Sequence, residues 1–186
     1  MKEQKNKEKL YFITGNKNKF LEVKSMLPEV EQLEIDLEEI QEVDAHKIIQ
    51  AKLKEAQKKH SGAFIIEDTS LYLKCLGGLP GPLIKWFMQT IGIEGIYNLT
   101  LKLGNNTAEA KTIIGYANSK GDIQFFEGSI LGKIVKPSGP TTFGWDPIFM
   151  PEDQGKTFQQ MSKEEKNKMS MRRVAVEKLK RYLNKA

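Results

Sequence analysis

The chain is predicted to be mixed α/β, on three observations. Leu10-Tyr11-Phe12-Ile13 is a short run of aromatic and branched apolar residues that passes through a Gly-Asn turn into a segment with helical spacing. Residues 44–60 place Ile49, Leu53 and Ala56 on one helical face. Ala63-Phe64-Ile65-Ile66 has the unbroken apolar character of a central strand.

In chain order, the strand at 10–13 ends at Gly15 and Asn16. Phe20, Val23 and Leu27 then recur at helical spacing as far as Pro28, which sets the lysine-rich turn at a helix N-terminus. Unpaired N–H groups there favour anions. A second strand is expected near residues 32–37. Asp44 is the expected N-cap of the helix through His60, and Ser61-Gly62 stops it. Glu67 and Asp68 are expected directly at the end of the strand that opens at Ala63, on opposite faces because side chains alternate, so that only one serves a given cleft. The Gly and Pro cluster at 77–82 predicts a shaped loop, followed by an amphipathic helix carrying Leu83, Ile84, Phe87, Met88 and Ile91 and ended by Gly92. Another helix is expected at about 94–103. Residues 107–118 and 122–135 predict a hairpin around Ser119-Lys120-Gly121. Residues 137–151 are too rich in Gly and Pro for a regular element. Ser162-Lys163-Glu164-Glu165 has the capping-box pattern and opens a final helical region to about Asn184.

With 186 residues the chain fits one domain, a single folding unit that can be elongated and two-lobed, preceded by a charged tail at 1–9. The formal charge of +5 suits an anionic partner. Much of that excess lies at the two ends, however, at 1–9 and 178–185, where solvated tails are the preferred reading over a nucleic-acid arm. The lone Cys75 cannot form an internal disulfide, and no paired cysteines mark a zinc site; a reducing cytoplasm is expected. The apolar run after the basic N-terminus is too short for a signal-peptide core, and no window approaches a membrane span. Neither a membrane nor a nucleic-acid partner is expected.

Two stretches carry the chemistry. Thr142-Phe143-Gly144-Trp145-Asp146-Pro147-Ile148-Phe149 is an aromatic-glycine-aromatic-acid loop, and Lys166-Asn167-Lys168-Met169-Ser170-Met171-Arg172-Arg173 puts lysine and arginine on a basic helical segment. A flat surface, an acid and fixed positive charge are the parts of a nucleotide site. His46 and His60 flank a lysine-rich helix and are read as surface rather than catalytic residues.

Together with Thr14-Gly15-Asn16-Lys17-Asn18-Lys19, Glu67-Asp68-Thr69, Gly78-Leu79-Pro80-Gly81-Pro82 and Lys85-Trp86-Phe87, these segments resemble the signatures of the inosine triphosphate pyrophosphatase family, from Leu10 to Tyr182. Glu165-Lys166-Asn167 before Ser-x-Arg matches as well. The resemblance implies hydrolysis of non-standard purine nucleoside triphosphates (inosine, deoxyinosine and xanthosine triphosphates) between the α and β phosphates, giving the monophosphate and pyrophosphate with Mg²⁺, or Mn²⁺ in its place. It implies a long twisted mixed β-sheet between two lobes, a central nucleotide cleft and a homodimer.

Thr14, Gly15, Asn16, Lys17, Asn18 and Lys19 match the triphosphate-binding turn, where backbone donors and lysine charge meet. Lys52, Thr69 and Lys85 resemble further phosphate or nucleotide contacts. Asp68 is the candidate catalytic acid, as Mg²⁺ ligand or as proton acceptor from the attacking water, and Glu39 matches a metal-ligand glutamate. Phe143 and Trp145 either clamp the purine or fill the core, while Gly144 and Asp146 are placed to read its edge. Lys166 and Arg172 add donors, Arg172 with a planar fork. The family usually has Ser-His-Arg where this chain has Ser170-Met171-Arg172, which implies altered base selection. The alternatives are a related pyrophosphatase with another base preference, a basic RNA-binding module, and an inactive dimeric binding protein that kept the pocket.

Overall fold

The computed structural model describes residues 9–139 and 144–185. Among them, strands β1 (Leu10–Ile13), β2 (Glu31–Leu33), β3 (Ala63–Leu73), β4 (Pro80–Gly81), β5 (Thr107–Ala117), β6 (Ile123–Ile134) and β7 (Phe149–Pro151) form one sheet. Its order is β2-β1-β3-β5-β6-β7, with β4 paired to β3. The β2-β1-β3 edge is parallel and the remainder antiparallel, so the sheet is mixed as expected. The helices are α1 (Lys17–Met26), α2 (Ala45–Lys59), α3 (Ile84–Thr90), α4 (Gly92–Lys102), α5 (Lys163–Met169) and α6 (Met171–Leu183). No helix among the described residues is long and apolar enough to cross a membrane.

Alternation along β3 divides the core. Ala63 and Ile65 pack with α1 and α6 residues such as Val23, Ala175 and Leu179, whereas Phe64 and Ile66 pack with Ile49, Leu53 and Ala56 of α2. Further along, Leu71 and Leu73 join Ile84, Ile96, Phe149 and Phe158 in a third cluster at the other end of the sheet. Polar residues lie between these apolar ends, and that is where the candidate site falls.

Four elements differ from expectation. The second strand is only Glu31–Leu33. Beyond it Ile35 and Leu37 still turn toward the α2 core, but α2 side chains take up the backbone: Glu55 accepts from the Glu38 N–H at 2.8 Å and Lys59 donates to the Asp36 carbonyl at 2.9 Å. β3 does not end at its acids; pairing with β5 from Phe64 to Leu73 carries it on past Glu67 and Asp68. A short strand, β7, lies at the end of the Gly- and Pro-rich segment because β6 offers it a partner edge. The final helical region is two helices, broken at Ser170, whose backbone is extended and whose hydroxyl caps α6 by accepting from the Arg173 N–H at 3.2 Å.

α6 lies hard against the sheet at Gly128 of β6. A Cβ there would stand 2.0 Å from the Met171 carbonyl oxygen, so glycine is what allows the first turn of α6 this close. That approach brings Arg172 over Glu67.

Candidate functional site

The site begins at the β1–α1 turn. The Thr14 hydroxyl accepts from the Asn16 N–H at 3.1 Å, and Asn16 caps α1 by accepting from the Lys19 N–H at 3.1 Å. These two bonds occupy side chains the turn already needs, and they leave Lys19 leaning from the first helical turn over β3. Its ammonium stands 3.2 Å from Glu67 Oε1.

Glu67 and Asp68 do point to opposite faces. The Asp68 carboxylate accepts from Ser70, two residues on, and faces a hollow of about 510 Å³. Thr14, Gly15, Asn16, Lys19, Glu39 and Lys52 line it, with Thr69, Lys85 and also Glu67, so both acids border this cleft although only one was expected to serve it. Burial raises the Asp68 pKa above the ordinary carboxyl value, against the hydrogen bond from Ser70 and the charge of Lys19. Glu39 accepts from Lys52. Its burial would raise its pKa, but Lys52, Lys85 and Lys19 outweigh that and lower it. Among the described residues no group of three or more His, Cys, Asp and Glu could hold a metal alone. Two carboxylates from separate segments on one hollow fit a hard cation that takes its other ligands from phosphate oxygens and water.

On the other face, Glu67 holds Arg172. Its oxygens accept from Arg172 Nε at 2.7 Å and Nη2 at 3.0 Å, and from the Thr69 hydroxyl at 2.7 Å, while Glu22 of α1 takes Arg172 Nη1. Desolvation opposes the charged carboxylate, but Arg172 and Lys19 prevail and hold Glu67 down to about 2. Above this network lies a second hollow of about 290 Å³, lined by Asn16, Lys19, Thr69, Gly144, Trp145, Asp146, Lys166, Met171 and Arg172. Asn16, Lys19 and Thr69 belong to both hollows, so the two adjoin. Asp146, whose pKa burial raises against the charge of Lys166, accepts from that lysine.

Most predicted residues therefore converge, with differences. Arg172 lines the second hollow, but its fork is engaged by Glu67 and Glu22 rather than open to a purine carbonyl or phosphate, because a guanidinium 1% exposed must be satisfied inside the protein. Trp145 is core as well as wall: it packs edge-on against Phe149 with centroids 5.4 Å apart. Lys17 is exposed and borders none of these hollows, and Asn18 lines a third hollow, which adjoins the second through Asp146 and Lys166. Phe143 lies outside the described residues. His60 is exposed and His46 is half-buried with Nε2 2.8 Å from Glu127 Oε1, both away from the site. Glu22 and Ser70 escaped sequence reasoning. Ser70 sits two positions from Asp68 on a strand and could have been found by alternation; the partner of Glu22 is 150 residues away, with no local signal.

A family model described as the Ham1 family matches residues 10–182. The chain is 45% identical over 175 residues to an inosine triphosphate pyrophosphatase of Fusarium vanettenii, covering 92% of this chain and 94% of that one. An inosine triphosphate pyrophosphatase of Saccharomyces cerevisiae is 43% identical over 188 residues, covering 94% and 95%. Among solved structures, the Staphylococcus aureus Ham1 protein superposes with a TM-score of 0.78 at 26% identity, over 94% of this chain and 97% of that one. A HAM1 protein from Coxiella burnetii gives 0.83 at 22%, over 95% and 98%, and speaks to the fold alone.

Proposed function

Because this chain belongs to the Ham1 family, we propose that it is a nucleoside triphosphate pyrophosphatase that hydrolyses inosine, deoxyinosine and xanthosine triphosphates to the monophosphate and pyrophosphate. The observation that carries this reading is the pair of adjoining hollows: one with Lys19, Lys52 and Lys85 opposite Glu39 and Asp68, the other walled by Trp145, Asp146 and Met171. The first has the charge and size for a triphosphate, the second the apolar and polar walls for a base.

In this reading the Thr14–Lys19 turn and the three lysines hold the phosphates and neutralise the charge that develops on the departing pyrophosphate. Water attacks the α phosphorus, its proton passes to the Asp68 carboxylate, and the bond to the α–β bridging oxygen breaks. Glu39 and Asp68 would hold Mg²⁺, or Mn²⁺ in its place, which when bound supplies Lewis-acid polarisation of the phosphate oxygens. Lys166 and Asp146, already paired, present a donor and an acceptor to the base edge. Met171 borders the second hollow while packed into the third core cluster, and methionine has no N–H to donate, so base preference is altered or looser than with a hydrogen-bonding side chain there. A cytoplasmic homodimer completes the proposal.

Measuring products from inosine triphosphate by ³¹P NMR, with and without Mg²⁺, tests it. Pyrophosphate release is expected, reduced about 10²–10⁴-fold in Asp68→Asn with the fold retained. Orthophosphate as the first product, or full activity in that variant, would overturn the reading.

A further inference from the structure

The segment 34–44, which carries Glu39, has no helix or strand of its own. Its ties to the rest of the protein run mostly to α2: Glu55 and Lys59 bind its backbone, and Lys52 binds the Glu39 carboxylate. Lys85 stands on a different body of the molecule, at the start of α3, which packs into the third core cluster through Ile84, Phe87 and Met88. Glu39 and Lys85 nonetheless line one hollow.

A single side chain spans the gap. The Gln41 carboxamide accepts from the Trp86 indole N–H and donates to the Glu39 carbonyl oxygen at 3.2 Å. Among the described residues, the bond to Trp86 is the only hydrogen bond between segment 34–44 and α3. Trp86 in turn has the Lys85 ammonium 5.7 Å from its ring centroid, within cation–π range. Trp86 is 47% exposed, more than core packing requires of so large a ring.

Resting on the phosphate-site reading above, we infer that Gln41 is a positioning residue: clasped to Trp86, it holds the Glu39 backbone at a set distance from Lys85, so that the acidic and lysine walls of the first hollow meet a metal-bound triphosphate without first being drawn together. The physical basis is preorganisation. A carboxylate on an irregular segment such as 34–44 must lose its freedom when it takes a cation, and a clasp made beforehand removes that cost from binding. Both ends are needed, because the bond to the Glu39 carbonyl alone fixes only three consecutive residues, and the bond to Trp86 is what registers them against α3.

The test uses Gln41→Ala, Trp86→Phe and the double variant. Trp86→Phe keeps an aromatic ring beside Lys85, smaller than the indole, and lacks the N–H donor. Each single variant is expected to weaken Mn²⁺ binding, followed by water-proton relaxation without nucleotide, about three- to tenfold, the value of one hydrogen bond. The Mg²⁺ concentration at half-maximal pyrophosphate release should rise by the same factor, with kcat at saturating Mg²⁺ changed less than about twofold and the melting temperature unmoved. If the two side chains act through one bond, the double variant is no worse than the worse single. Mn²⁺ affinity within twofold of the parent in Gln41→Ala, or effects of the two substitutions that multiply, would overturn the inference. A parent enzyme that binds Mn²⁺ but releases no pyrophosphate would instead count against the functional reading, leaving the relaxation measurement to judge the clasp.

Discussion

Replacing Glu67 with glutamine should destabilise the protein sharply at neutral pH. The Glu67 carboxylate is enclosed, with 1% of its side chain exposed; it accepts from Arg172 through two nitrogens and from Thr69, and it is ion-paired with Lys19. Holding a carboxyl of ordinary pKa 4.5 down to about 2 corresponds to about 3 kcal/mol of folded-state stabilisation at neutral pH. Breaking a buried ion pair by removing one partner costs about 3–5 kcal/mol, which agrees. For a chain of this size each kcal/mol moves Tm by about 2–4 °C, so a fall of about 6–20 °C is expected by calorimetry at pH 7. The pH dependence follows from the sign. The folded pKa lies below the unfolded one, so the contribution is complete above about pH 4.5 and is lost as the pH falls toward about 2. The gap between parent and Glu67→Gln should therefore narrow through that window. Adding Arg172→Met, which removes the stranded guanidinium, should recover part of the loss. A gap below about 2 °C at pH 7, against the 2–4 °C expected per kcal/mol, or one unchanged from pH 7 to pH 3, would refute the reasoning.

Three further outcomes follow from the geometry. Gly128→Ala puts a methyl 2.0 Å from the Met171 carbonyl oxygen and 2.9 Å from the Ala175 nitrogen; backbone cannot swing aside, so α6 must lift, with a loss of at least about 1–3 kcal/mol in urea unfolding and reduced turnover. Lys19→Met should raise KM for inosine triphosphate about 10–100-fold, since a charge-assisted bond to phosphate is lost from the wall common to both hollows. Met171→His should raise the ratio of kcat/KM for inosine over adenosine triphosphate about tenfold, and an unchanged ratio would remove Met171 from base selection.

Local chemistry made the cleft's parts legible. Gly15 and Asn16 could be read as the turn that sets Lys19 at a helix N-terminus, and Ser162 with Glu165 as a capping box, because such signals lie within a few residues of one another. Alternation likewise assigned Glu67 and Asp68 to opposite faces. The match of ordered motifs to a known family supplied candidates such as Glu39, Lys52 and Lys85 that composition and spacing alone could not have picked out from the other acids and lysines. The length of β3 was not legible, because Glu67 to Ser70 look like a strand's end until β5 pairs with them. Nor was the break at Ser170, where both flanking segments are helical and only the seat of α6 on Gly128 requires the turn.

The sequence by itself therefore determined which residues cap, alternate and carry charge, since those properties depend on neighbours within a few positions. Only the tertiary structure decided what that charge is used for: Arg172 is committed to Glu67 and Glu22, and Gln41 reaches Trp86, because these partners stand 105, 150 and 45 residues apart and meet only when the sheet and its helices bring them together.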